Sequence, residues 1–334
     1  MTKQIPQVNN MFLIGAGFTR AVFPNAPLNK DLLPVLCKGT PCTTLKRYRK
    51  EFKTDDIEIL LTRLDLEITI PKAKRQTALQ TVRRAIERQL AEYFGQFRFK
   101  EKITANSIWL KDFVNLFQPH DAIISLNYDC LLEGLLDYHE VWSPNRGYAG
   151  IDTFFENDQP ENPKNILIYK IHGSENFIIS SGLPNKEKKD IGFVINESIY
   201  PFSGKNKFFG GGAIKPESYI IAPSFVKIPH ERIERIMIKV LKMSTSAKNL
   251  VIIGSSLRPE DSFLWLLLTN FLNQPISNRK LIIVDPNAKS IKDKIVSHYF
   301  VNISELVNIT LLSNGLEPDI GQLVKELHEN TKVG

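Results

Sequence analysis

The chain has 334 residues, 43% hydrophobic and 24% charged, which is enough to bury a large core and too apolar for a disordered chain. Its longest apolar runs, such as 264–268 and 281–284, fall far short of the roughly 20 residues of a membrane-spanning helix, and the polar N-terminal ten residues carry no secretory signal; a cytoplasmic protein without a membrane partner is expected. Three cysteines, Cys37, Cys42 and Cys130, form no CxxC pair and exclude a disulfide framework or a four-cysteine zinc site, while the net charge of +7 fits an anionic ligand.

In chain order, the apolar run at 10–15 ends in glycine and reads as a buried strand feeding a tight turn. Helical spacing follows at 57–70, through Ile57, Leu60, Leu61 and Leu64, and at 79–94, through Val82, Ile86 and Leu90; a third helix is expected over 108–117. The wholly helical pattern over 55–118 predicts an inserted α-helical subdomain. A second buried strand occupies 121–129, followed by a helix over 130–138, and a third strand spans 165–174. The stretch 182–216, rich in Gly, Lys, Pro and Asn, is expected to be a loop or lid. From 218 onward strands at 218–223, 249–254, 280–286 and 308–312 alternate with helices at 230–243, 260–273, 288–299 and 319–329. This alternation predicts a single α/β domain over 1–334, a Rossmann-like parallel sheet flanked by helices.

Five polar clusters fall at predicted strand ends, where open α/β sheets bind ligands. The first is Gly15-Ala16-Gly17-Phe18-Thr19-Arg20, whose glycines would let backbone N–H groups approach a pyrophosphate. Arg20 stands where the dinucleotide fingerprint has a third glycine, which argues against a standard dehydrogenase. The second is Asn127-Tyr128-Asp129, suited to ribose hydroxyls or a water and equally to capping the next helix. The third is His172, a candidate general base. The fourth is Gly254-Ser255-Ser256, with donors for phosphate oxygens, and the fifth Asp285-Pro286-Asn287, placed to touch a second ribose or to cap a helix.

The order GAGFT, SLNYD, KIHGS, IIGSSLRP, IVDPN resembles the motif series of the sirtuins, over about 11–290. SLNYD and KIHGS resemble in particular the sirtuin-like NAD-hydrolysing domains of bacterial antiphage defence. The resemblance implies NAD as substrate, with Gly15, Ala16, Gly17, Thr19 and Arg20 at its phosphates, Gly254, Ser255 and Ser256 at the phosphates or nearby ribose, and Asp285 and Asn287 toward the adenosine. Asn127 would position the nicotinamide ribose and the attacking water, His172 would be the base, and Asp129 would support both. No cysteine lies between His172 and Gly254, so the zinc module of the deacetylase branch is missing and no metal is expected; Thr19 replaces the usual serine. The implied function is an NAD glycohydrolase releasing nicotinamide and ADP-ribose in abortive infection, triggered by assembly into a homo-oligomer or by a separately encoded activator or sensor protein. The alternatives are a module sensing NAD or ADP-ribose, an ADP-ribosyltransferase and, less favoured, a nucleic-acid binder using 79–94 and 204–215.

Overall fold

The computed structural model describes residues 8–37, 39–70, 73–144, 146–153, 164, 166–180, 190–193, 217–274, 278–299 and 307–328. Six parallel strands make the main sheet: β1 (Asn10–Ile14), β2 (Ala122–Ser125), β4 (Leu167–Lys170), β8 (Asn249–Ile253), β9 (Lys280–Val284) and β10 (Asn308–Leu312), in spatial order β10-β9-β8-β1-β2-β4. β1 pairs with β2 from Met11↔Ala122 to Ile14↔Ser125 and with β8 from Asn10↔Asn249 to Ile14↔Ile253. β1, β2 and β8 are buried along their whole length, as strands covered on both faces must be, which is why they read as unbroken apolar runs. The chain builds outward from β1 to β4 on one side and restarts at β8 on the other, so the order reverses between β1 and β8. That is the Rossmann-like arrangement, and its ligand crevice opens at the carboxyl ends of those two strands.

The flanking helices are α1 (Ala16–Val22), α7 (Trp109–Asn115), α8 (Leu131–Tyr138), α9 (Glu231–Ser244), α10 (Ser262–Leu272), α11 (Ala288–Tyr299) and α12 (Leu316–His328). α10 is apolar nearly all round and buries Phe263, Leu264, Trp265, Leu267, Leu268, Phe271 and Leu272, the pattern of a helix enclosed by the core. No helix among the described residues is long and apolar enough to cross a membrane.

Helices α2 (Leu33–Leu36), α3 (Thr40–Phe52), α4 (Ile57–Thr69) and α5 (Ala73–Phe94) bury a second apolar cluster, which includes Leu36, Tyr48, Leu61, Leu64, Ile86 and Leu90. A short helix, α6 (Glu101–Asn106), follows. The helical stretch thus begins at Leu33 rather than at 55. α3 escaped the periodicity because only Leu45 and Tyr48 are buried apolar positions between Lys46, Arg47, Arg49 and Lys50. α7, expected to belong with these helices, buries Trp109, Leu110, Phe113 and Val114 in the main core instead.

A second sheet, β3-β6-β5-β7, comprises β3 (Asp152–Thr153), β5 (Gly173–Ser180), β6 (Asp190–Phe193) and β7 (Glu217–Ile220). The sequence expectations differ from it in two places. The run 165–174 is two strands, not one: β4 ends at Lys170, and the chain turns through Ile171 and His172 into β5, with Gly173 at φ +76°. A Cβ at Gly173 would lie 2.4 Å from the carbonyl oxygen of Tyr219, so only glycine allows this change of sheet. β7 pairs antiparallel with β5 and does not join the parallel sheet, although its apolar pattern matches a parallel strand. The loop or lid expected over 182–216 lies outside the described residues except for β6.

Candidate functional site

A cavity of about 860 Å³ opens at the carboxyl ends of the parallel strands, at the upper end of the roughly 300–1,000 Å³ typical of small-molecule sites. It brings together residues from all five strand-end clusters. Gly15, Ala16, Gly17, Thr19 and Arg20 line it from the β1–α1 turn; Asn127 and Asp129 line it after β2, and His172 after β4. Gly254, Ser255 and Ser256 line it after β8, Asp285 and Asn287 after β9.

The glycine turn works differently from the sequence expectation. Gly15 N–H donates to Ile253 O at 2.9 Å and Gly17 N–H to Gly254 O at 2.8 Å, so these two amides are already engaged by backbone. A Cβ on Gly17 would stand 2.5 Å from Gly254 Cα, and one on Gly254, at φ +59°, 2.6 Å from Gly17 Cα. The glycines let the turns after β1 and β8 touch at the point where strand order reverses. Arg20, at the exposed end of the turn, pairs with Asp31 at 3.4 Å.

Behind that contact Thr19 joins the first cluster to the second. Its hydroxyl donates to Asp129 Oδ2 at 2.9 Å and accepts from Asn127 Nδ2 at 3.1 Å. The amide of Asn127 is thereby oriented, and its Oδ1 is buried without a hydrogen-bond partner among the described residues. Burial pushes the Asp129 carboxyl up to about 6 despite the nearby Lys170 ammonium, which leaves it mostly ionised at neutral pH. Lys170 is itself fully buried: Nζ donates to Asp129 O at 2.6 Å and pairs with Glu133 at 2.9 Å, fixing β4 to the start of α8.

On the opposite wall His172 Nε2 lies 3.0 Å from Asp261 Oδ2, and Lys227 Nζ 2.7 Å from the same oxygen. Burial would raise the Asp261 carboxyl, but His172 and Lys227 together hold it well below the usual carboxylate range. Arg258 reaches across to Glu58 of α4 at 3.0 Å, and Glu58 also accepts from Asn29 Nδ2 at 2.6 Å. Glu58 of α4 and Phe94 of α5 thus supply part of the cavity wall. Sequence reasoning missed Asp261, Lys227, Arg258 and Glu58. Asp261 fell inside the helix expected over 260–273, whereas α10 begins at Ser262; the other three gain their place only through tertiary contact.

At the far end Asp285 Oδ1 accepts from Asn287 N at 2.8 Å, closing the turn into α11. Lys294 Nζ donates to Ser256 O at 3.3 Å, which sets a cation beside the serine pair. Among the described residues no group of three or more His, Cys, Asp and Glu side chains is placed to hold a metal ion.

Fold and site together define a Rossmann-like α/β protein with a polar ligand cavity at its topological switch point. No family model matches the chain, and no curated protein does. Among solved structures the chain is similar to a Sir2 homologue mutant in complex with ADP-ribose, at 13% identity over 99% of this chain and 96% of that one with a TM-score of 0.44. It is also similar to Sir2Tm bound to a propionylated peptide, at 10% identity over 98% and 94% of the two chains with a TM-score of 0.37. The fold class rests on the strand order and register.

Proposed function

We propose that the chain is an NAD glycohydrolase that releases nicotinamide and ADP-ribose. The observation that carries this reading is the pairing, in one cavity at the switch point, of an oriented Asn127 whose buried Oδ1 lacks a partner among the described residues with a His172 held by a carboxylate. NAD supplies the chemistry of a cationic nicotinamide, a good leaving group. Asn127 Oδ1 accepts a hydrogen bond from a ribose hydroxyl or from the attacking water. His172 takes a proton from that water as it attacks. The carboxylates of Asp129 and Asp261, fixed and shielded from solvent, favour the positive charge that develops on the ribose as the glycosidic bond breaks. The Ser255 and Ser256 hydroxyls and Lys294 serve the phosphates, with Ala16 at the start of α1; Asp285 and Asn287 serve the adenosine end.

The motif series extends the reading to NAD depletion during phage infection, with activity released by a partner protein or by self-assembly. Replacing His172 by Ala is expected to lower nicotinamide release by about 10²–10⁴-fold, the share of a general base, with the thermal transition retained. Unchanged release would remove His172 from the reaction.

A further inference from the structure

Asp261, Lys227 and His172 come from three separate stretches of chain: the loop before α10, the segment after β7 and the turn after β4. One oxygen, Asp261 Oδ2, receives both His172 Nε2, at 3.0 Å, and Lys227 Nζ, at 2.7 Å. Lys227 Nζ and His172 Nε2 are 3.4 Å apart. An ionised carboxylate only accepts, so a proton on His172 Nε2 satisfies its 3.0 Å contact with Asp261, which is closer than the contact with Lys227. Asp261 precedes α10 as its N-cap residue, yet its side chain makes no capping hydrogen bond. It is 6% exposed, and its Oδ1 is buried without a partner among the described residues. A helix cap would direct those oxygens at the first-turn amides. This carboxylate is directed at the histidine.

We propose that Asp261 is the positioning residue of His172: it accepts the Nε2–H, fixes that tautomer and leaves Nδ1 as the atom that takes the proton, while Lys227 holds Asp261 in place. The assignment rests on His172 being the base of NAD hydrolysis. In the step, the water oxygen bonds to the anomeric carbon of the ribose as the carbon–nitrogen bond to nicotinamide breaks, with the electron pair leaving on nicotinamide. The water proton passes to Nδ1, the resulting imidazolium faces the Asp261 carboxylate, and the proton is then lost to solvent. NAD and water give ADP-ribose, nicotinamide and one proton.

Nitrogen-15 NMR of the imidazoles in the full chain, with His172 assigned by its loss in His172→Gln, reads the tautomer directly. The neutral Nε2–H form is expected in the wild type. In Asp261→Ala no acceptor faces Nε2 and the Lys227 ammonium, 3.4 Å away, donates to it, so the Nδ1–H form is expected to dominate. An Nδ1–H tautomer in the wild type, or an unchanged tautomer in a folded Asp261→Ala, overturns the proposal. If Asp261→Ala does not fold, the wild-type tautomer decides alone. In kinetics on NAD, Asp261→Ala is expected to lower kcat by about 10²-fold or more with KM within about threefold, because a wrong tautomer removes the base without removing the ligand's contacts. Asp261→Glu is expected to recover part of that loss; a rise in KM at unchanged kcat counts against a positioning role. A folded wild type with the Nε2–H tautomer and no nicotinamide release would strike the hydrolysis reading and leave the Asp261–His172 geometry standing.

Discussion

Thr19 shows how one hydroxyl fixes a reactive geometry. By accepting from Asn127 and donating to Asp129 it settles which atom of the amide, Oδ1, is left without a partner among the described residues. Asn127→Ala is therefore expected to lower nicotinamide release by about 10²-fold or more, the scale of a lost positioning contact, with little change in melting temperature. A second residue-scale prediction concerns Asp121, buried before β2, where it accepts from Asn10 Nδ2 at 3.0 Å and Gln118 N at 2.8 Å. Burial pushes its carboxyl up to about 7. The folded state thus holds this proton to higher pH than the unfolded state does. Its stabilising contribution is present below about pH 4 and is lost as pH rises toward 7, by up to about 4 kcal/mol at about 1.4 kcal/mol per unit. Urea titrations between pH 4 and 8 are expected to show a flatter pH dependence in Asp121→Asn than in the wild type; identical slopes would contradict the assignment.

At the scale of elements, the parallel strands were readable because burial on both faces makes them continuous apolar runs, and their polar ends marked the ligand edge. β7 misled for the same reason: Tyr219 and Ile220 are buried in an antiparallel sheet by helices as fully as a parallel strand is. α3 was invisible because two apolar positions do not make a period. The five clusters were legible as strand ends, whereas the Gly17–Gly254 contact and the Glu58–Arg258 pair depend on which strands become neighbours, and local sequence does not carry that. Gly17→Ala places a methyl against the backbone of Gly254 and is expected to destabilise the fold by about 1–3 kcal/mol in urea unfolding. Lys170→Met leaves Glu133 buried without its counter-charge and is expected to cost about 3–5 kcal/mol, with Lys170→Met/Glu133→Leu recovering much of it. A double variant no more stable than the single one would show that the pair is not energetically coupled.

Over the whole molecule, a Rossmann-like sheet supplies the floor of the cavity and the helices α4 and α5 supply part of its wall, joined through Arg258 and Glu58. The sheet side carries Asn127, Asp129 and His172. The segment after β7, which carries Lys227, is tied to α4 through Thr62, whose Oγ1 accepts from Phe225 N at 2.8 Å. The site is thus a product of both parts of the chain. Its most direct test is product analysis after incubation of the purified chain with about 1 mM NAD, at the upper end of typical KM values, alongside folded Asn127→Ala. The account predicts nicotinamide and ADP-ribose in equal amounts from the wild type and a loss of about 10²-fold or more in the variant. Intact NAD after prolonged incubation with folded wild type, or equal turnover by both proteins, would contradict it.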